Sequence, residues 1–289
     1  MSNHHATATV SKILNFSCVD GPGNRLVIFL QGCNYQCKNC HNPHTIGHCD
    51  HCGDCVTPCP SGALSLVEGK VNWQASLCTH CDHCLAVCPR QASPKTNEMS
   101  VDSMIELIRK QHLFLSGITV SGGEATLQLP FIVALFTAIK QDEELKYLSC
   151  MVDSNGSLSL VGWEKLLPVL DGAMIDLKAW QEETHRWITG RSHHRVIQSI
   201  EWLAQQDKLE EVRLLYIPNI TDYTSEIGEV SRFLQTLPKR TTIRLNAFQH
   251  HGVTGEALDW DVCSNDQIRA LADLLRQRGL DVLYRDPVQ

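Results

Sequence analysis

Residues Arg25–Pro43 read RLVIFLQGCNYQCKNCHNP, and the fold and chemistry of the chain are both decided in this stretch. Arg25–Leu30 is a short, nearly continuous apolar run of the kind that forms a strand buried on both faces. Cys33, Cys37 and Cys40 follow at once, spaced C-x3-C-x2-C, with no fourth cysteine of matching pattern beside them. Three thiolates on a four-iron cluster leave one iron without a protein ligand, and an open metal position is where chemistry takes place. The cysteines also sit just beyond a strand, where the active sites of parallel α/β folds are built. The plainer alternative is a structural knot of three thiols.

Immediately downstream the cysteines become periodic. Cys49, Cys52, Cys55 and Cys59 recur as Cys78, Cys81, Cys84 and Cys88, each offset by 29, and Pro60/Pro89 and Ala63/Ala92 keep the same offset. This is a small duplicated unit. Each copy has the form C-x2-C-x2-C-x3-C-P, the run that holds paired [4Fe–4S] clusters, with the fourth cysteine of one run serving the other cluster. Cys49, Cys52, Cys55 and Cys88 are therefore expected to hold one accessory cluster, and Cys59, Cys78, Cys81 and Cys84 the second. Zinc is the competing reading. It needs four ligands, so the third closely spaced cysteine of each run would be surplus.

Beyond the cysteines the pattern turns regular. Strands are predicted at 117–121, 147–152, 172–177, 212–217, 242–246 and 281–284. Helices are predicted at 101–111, 130–139, 160–167, 195–205, 227–237 and 266–278. Such alternation predicts a parallel sheet with right-handed crossovers. Six strand–helix units are expected. Without the insertion roughly 235 residues remain, slightly short of the ~250 of a closed eight-unit barrel.

Composition narrows the class. The chain has 289 residues, 43% of them hydrophobic, with 25 basic against 32 acidic side chains and a formal net charge of −7. That is a folded protein with no basic surface for nucleic acid or membrane. No apolar run is long enough to span a bilayer, and residues 1–11 carry no secretory pattern. Of the 14 cysteines, 11 lie between Cys33 and Cys88. In a chain without a secretory signal such density points to metal rather than disulfides, and to the cytoplasm, where thiols stay reduced. Cys18, Cys150 and Cys263 are read as small core residues. The pairs His4–His5 and His193–His194 are read as surface residues.

C-x3-C-x2-C resembles the radical S-adenosylmethionine motif. Val19-Asp20-Gly21-Pro22-Gly23 with Arg25, then Gln31-Gly32-Cys33 and Cys40-His41-Asn42-Pro43, is similar to the glycyl-radical-enzyme activating family. The ferredoxin-like insertion matches that family's longer, YjjW-like subgroup. The resemblance covers nearly the whole chain. It implies a partial (β/α)6 barrel from residues 1–46 and 98–289, with an inserted two-[4Fe–4S] ferredoxin-like domain at 47–97. It also implies three [4Fe–4S] clusters and S-adenosylmethionine as cofactors. At the three-cysteine cluster S-adenosylmethionine is cleaved reductively, and the 5′-deoxyadenosyl radical takes hydrogen from a backbone glycine of a partner glycyl radical enzyme. A flavodoxin or ferredoxin-type protein is implied as electron donor.

The same resemblance carries over individual residues. Gly122-Gly123-Glu124 corresponds to a segment that contacts the cofactor's amino group. Asp153, Ser154, Met174 and Asp176 correspond to a monovalent-cation site beside its carboxylate, and Lys178 to the lysine that pairs with that carboxylate. Arg213 corresponds to a strand arginine near the cofactor. Asp20 and Arg25 are placed near the incoming glycine-bearing loop. Three positions depart from the family pattern. Asn39 replaces an aromatic residue that flanks the adenine, Ala125 replaces a proline, and Gln249 falls where the family has a histidine. Two other functions are compatible with parts of the sequence. One is a radical enzyme acting on a small molecule or peptide; the other is an electron carrier, which would have no use for an open cluster. The accessory clusters fit either an electron relay or a structural or docking role.

Overall fold

The computed structural model describes residues 6–285. His4 and His5, read above as surface residues, lie outside them. Strands β1 (Thr7–Ser17) and β2 (Arg25–Leu30) come first. The cysteine-rich stretch contains β3 (Leu64–Val67), β4 (Lys70–Trp73) and the short helix α1 (His83–Ala86). β5 (Asn97–Ser100) returns to the main sheet and runs into α2 (Val101–Arg109). Then follow β6 (Gly117–Gly122), α3 (Leu129–Gln141), β7 (Ser149–Ser154) and α4 (Leu160–Leu166). β8 (Gly172–Leu177), α5 (Glu182–Thr189), α6 (His194–Gln205) and β9 (Leu209–Tyr216) come next. The chain closes with α7 (Ile227–Gln235), β10 (Thr242–Ala247), α8 (Asn265–Gln277) and β11 (Val282–Tyr284).

Nine of the strands form one sheet in the order β11-β10-β9-β8-β7-β6-β2-β1-β5. From β2 to β11 every neighbouring pair is parallel. This is the expected α/β alternation with two corrections. β1 and β5 pair antiparallel at one edge, so the sheet is mixed. Strand β1, which lies between β2 and the edge strand β5, was not predicted, because a strand buried along only part of its length carries no apolar run to announce it. Helix α5 was also missed: of its eight residues only His185, Ile188 and Thr189 are buried, too few for a helical stripe.

The helices form where caps and apolar spacing agree. Ser100, Ser159 and Ser264 each accept a backbone N–H at the starts of α2, α4 and α8, and Ser264 with Gln267 completes a capping box. α2 buries Val101, Met104 and Ile108; α8 buries Ile268, Leu271, Ala272 and Leu275. These i, i+3, i+4, i+7 stripes pack on β2–β11 in one continuous core. Each fully buried Leu, Ile or Phe contributes roughly 2 kcal/mol, so packing rather than propensity holds these helices.

The cysteine-rich segment has its own small core of Cys55, Leu64, Val71 and Cys84. Its hairpin turns on Glu68 and Gly69, both left-handed at φ 50° and 74°, as a two-residue turn between antiparallel strands requires. The internal repeat also appears in the backbone. Left-handed residues occur at His51, Gly53 and Gly62, and again at His80, Asp82 and Gln91, three pairs with the offset of 29 already seen in the cysteines. Left-handed residues alternating with right-handed ones turn successive N–H groups inward and build anion-binding nests of the type found at iron–sulfur sites. The segment is tied to the main sheet by Gln31, whose Nε2 donates to the carbonyls of His44 (2.8 Å) and Gly47 (2.6 Å), and by Ser93 N–H donating to His44 O at 3.0 Å.

Candidate active site

The C-terminal ends of β2 and of β6–β10 surround one cavity of about 590 Å³. Residues of five adjacent parallel strands, β6–β10, together with the loop after β2, can line one cavity only if the sheet curves around it. That volume suits a nucleoside-sized ligand. Cys33, Cys37 and Cys40 line it, together with Asp153, Asp176 and Arg213.

The cysteine loop is held by backbone bonds to two other segments. Gly32 and Cys33 donate to Thr45 O (2.8 Å) and Ile46 O (3.0 Å), while Gln36 and Lys38 donate to Thr189 O (3.0 Å) and Ile188 O (2.9 Å) at the end of α5. The unpredicted helix α5 is therefore one support of the loop. Burial pushes the Cys33 thiol up to about 11 and Cys37 to about 12, and raises Cys40 as well. Neutral thiols are what this pocket favours on its own, and a metal cluster would supply the charge that lets them ionise.

The charged wall follows from strand register. Asp153 lies beside Met174 across β7/β8, and Asp176 beside Arg213 across β8/β9. Met174, Asp176 and Lys178 alternate along one direction, as period two requires. Lys178 Nζ donates to Asp176 at 2.9 Å. Burial works to lower Lys178, but Asp176 and the thiols of Cys37 and Cys40 outweigh it and hold the ammonium above its ordinary value. Arg213 donates to Asp153 (2.9 Å) and Glu211 (2.5 Å), and its Nη2 reaches Met174 Sδ at 3.1 Å. Burial would lower Arg213 too, yet Asp153, Asp176 and Glu211 together hold it above its ordinary value. The wall thus presents two carboxylates beside two fixed cations, a suitable partner for a zwitterionic ligand.

Gly122 and Gly123 line the cavity where β6 ends. A Cβ at Gly122 would meet Leu30 O at 2.2 Å, and Gly122 has φ +130°. No side chain fits there, which lets the backbone itself face the cavity. Gly122→Ala is expected to cost roughly 2–3 kcal/mol, measured as a lowered thermal midpoint beside wild type.

Several expected residues stand elsewhere. Glu124 is 1% exposed and outside the cavity lining. Its carboxylate accepts from Thr126 N–H (3.0 Å), Thr126 Oγ1 (2.5 Å), Ser154 Oγ (2.8 Å) and Asn155 N–H (2.7 Å). It braces the Gly-Gly turn against β7. Gln249 also turns away, donating to Cys263 O at 3.0 Å. The Met174 side chain is buried behind the wall. Arg25 is 0% exposed and its donors go to Thr119, Ser149, Ile118 O and Pro22 O, so it cannot meet an incoming loop. Asp20 does line the cavity, with its side chain accepting from Ser17 at 2.5 Å. Asn39 is buried in the lining and its Oδ1 has no partner, an acceptor left for an incoming donor.

Cys150 and Cys263 are buried as expected, but Cys18 is exposed in the loop after β1. His194 is exposed, whereas His193 is only 16% exposed and bonds Glu182 at 2.6 Å. Sequence reasoning missed Asn155. Its Nδ2 lies 4.0 Å from Cys33 Sγ and 3.0 Å from Asn34 Oδ1, and its N–H holds Glu124. The run Asp153-Ser154-Asn155-Gly156 at a strand's C-terminal end was the available signal.

Around the insert cysteines, Cys59, Cys78, Cys81 and Cys84 line one small cavity. Cys59 Sγ lies 3.8 Å from Ser61 Oγ. The cysteine that follows the first run thus faces the three of the second.

Residues 27–234 match the Radical SAM superfamily. The chain is 28% identical over 239 residues to a pyruvate formate-lyase-activating enzyme of Streptococcus mutans, covering 80% of this chain and 73% of that one. It is 28% identical over 271 residues to the (2S)-3-sulfopropanediol sulfolyase activating enzyme of Bilophila wadsworthia, covering 87% of each. Among solved structures, QueE from Escherichia coli superposes with a TM-score of 0.57 at 13% identity, covering 99% of this chain and 97% of that one, a likeness of fold.

Proposed function

The chain belongs to the Radical SAM superfamily, and from that premise we propose that it activates a glycyl radical enzyme by drawing a hydrogen atom from a backbone glycine of that partner. Membership makes it an enzyme that uses S-adenosylmethionine and a [4Fe–4S] cluster. When bound, these supply reductive cleavage of the sulfonium and a carbon-centred radical.

The observation that carries the reading is the meeting of Cys33, Cys37 and Cys40 with the Asp176–Lys178 pair in one cavity. The three thiols hold the cluster and leave one iron to the cofactor. Lys178 and Arg213 pair with the cofactor's carboxylate, and the Gly122–Gly123 backbone receives its amino group. Asp153, Ser154, Asp176 and Met174 would hold a monovalent cation beside that carboxylate. Asn39 offers its unpartnered oxygen to the adenine amine. Asp20, which lines the same cavity, would help seat the glycine-bearing loop of the partner.

The paired left-handed turns and the shared cavity of Cys59 with Cys78, Cys81 and Cys84 support a two-cluster insert. Under this reading residues 47–97 are the insert and residues 1–46 and 98–289 the catalytic body, as in the ferredoxin-insert subgroup. Three clusters in all would be reduced by a flavodoxin or ferredoxin-type donor in the cytoplasm. Among the described residues no helix is long and apolar enough to cross a membrane.

The deciding experiment mixes the anaerobically reconstituted chain with S-adenosylmethionine, a low-potential reductant and a candidate glycyl radical enzyme. A glycyl EPR doublet is expected, with 5′-deoxyadenosine formed in step with it. Turnover of a small molecule or peptide, with no doublet from any glycyl radical enzyme supplied, would reject the proposal.

A further inference from the structure

The indole Nε1 of Trp73 is buried and has no hydrogen-bond partner. A buried N–H without an acceptor is costly, and such a group asks for a missing partner. Trp73 ends β4 and lines the small cavity that also holds Cys59, Cys78, Cys81 and Cys84. Lys95 lines the same cavity, with its side chain 15% exposed and paired to Asp82. Ser61 adds a hydroxyl 3.8 Å from Cys59 Sγ.

The other cysteine set has different neighbours. Asp50 and Asp54 flank Cys52 in sequence, and among the described residues only Asp50 is matched by a cation, Arg90 at 2.6 Å. His51 Nδ1 approaches Cys49 Sγ at 3.8 Å, but it already accepts the Val71 N–H at 3.1 Å and so has no proton to give. One set is surrounded by donors and a balanced ion pair, the other by an excess carboxylate.

We propose that the two insert clusters are redox-unequal, with the one on Cys59, Cys78, Cys81 and Cys84 the more easily reduced, because Trp73 Nε1–H donates to one of its sulfurs and Lys95 stands beside it. This rests on the two-cluster reading of the insert. Reduction adds one electron, taken from a flavodoxin or ferredoxin-type donor, and moves no proton. An N–H donor stabilises the added negative charge, and Lys95, by cancelling Asp82, keeps a carboxylate from opposing it. The placement also suits transfer toward the active site. Trp73, Asp82 and Lys95 line a second cavity of about 620 Å³, which shares Asn42, Thr45 and Gly122 with the first.

The test is a potentiometric titration followed by EPR on the anaerobically reconstituted full chain. Cys52→Ala, which strips the other insert site, identifies the signal in question. Trp73→Phe removes the N–H and keeps the ring; Lys95→Gln removes the charge and keeps the length. Each is expected to lower the reduced-to-oxidised ratio of that one signal about tenfold at fixed potential, or 59 mV for one electron. The remaining signals should stay in place. No shift in either variant, or an equal shift of both insert signals, overturns the proposal. If Trp73→Phe fails to take up that cluster, Lys95→Gln decides alone. Iron is measured first: wild-type protein holding only about four iron per chain would refute the two-cluster insert itself, a result separate from an absent shift.

Discussion

Cys33→Ala is expected to abolish reductive cleavage of S-adenosylmethionine while the insert clusters persist. Cys33 is the first ligand of the loop, its N–H is fixed to Ile46 O at 3.0 Å, and its sulfur accepts from Tyr35 N–H at 3.4 Å. Two remaining thiols cannot hold a four-iron cluster in the geometry that leaves one iron open. A fall of roughly 10³-fold or more in 5′-deoxyadenosine formation is expected, at least about 4 kcal/mol of barrier. Iron should drop from about 12 to about 8 per chain. Cys52→Ala is the matching control: it should retain S-adenosylmethionine binding while activation of the partner is impaired. Undiminished cleavage in Cys33→Ala would remove the active-site assignment. Wild-type protein with about two zinc and no broad visible absorbance would remove the insert clusters instead.

The largest effect on stability is expected from Arg25→Ala. The guanidinium is wholly buried at the start of β2, and burial lowers its pKa to about 10. Among the described residues no carboxylate touches it. Its charge is met by Thr119 Oγ1 (2.6 Å), Ile118 O (2.7 Å), Ser149 Oγ (2.8 Å), Ser149 O (2.9 Å) and Pro22 O (3.3 Å). Thr119 Oγ1 in turn donates to Asp20 O at 2.6 Å, so one side chain ties the β1–β2 loop to β6 and β7. Alanine would leave a cavity and buried carbonyls without donors, a loss on the order of 4–5 kcal/mol. For a chain of this size that lowers the thermal midpoint by roughly 10 °C or more. Arg25→Lys should recover only part of it, because one ammonium cannot span acceptors placed for a planar fork. A midpoint within about 2 °C of wild type would show that the loop is held by other means.

Much of this could be read before the fold was seen. Strand boundaries at Arg25–Leu30 and Gly172–Leu177 agree with the structure to the residue, since unbroken apolar runs between turn residues leave little choice of position. β7 instead begins and ends two residues later than predicted. Its last residues, Asp153 and Ser154, are polar because they face the cavity, and polarity at a strand end reads as loop. The insert cysteines were legible because cluster ligands obey fixed local spacing. The surroundings of Glu124, Arg25 and Gln249 were not legible because a side chain's direction depends on partners away in sequence: Ser154 and Asn155 for Glu124, Ser149 for Arg25, Cys263 for Gln249.

By itself the order of residues determined the cysteine loop, the duplicated run of eight cysteines and the alternation of helix and strand. Each is a matter of short-range spacing, and covalent connectivity imposes it. Only the folded chain decided that Asp153, Asp176, Lys178 and Arg213 share one cavity with the three thiols, that α5 supports the cysteine loop, and that Trp73, with its N–H unpartnered, lines the cavity of one set of insert cysteines. Those arrangements come from sheet register and curvature, which bring together residues dozens of positions apart and so leave no local pattern to read.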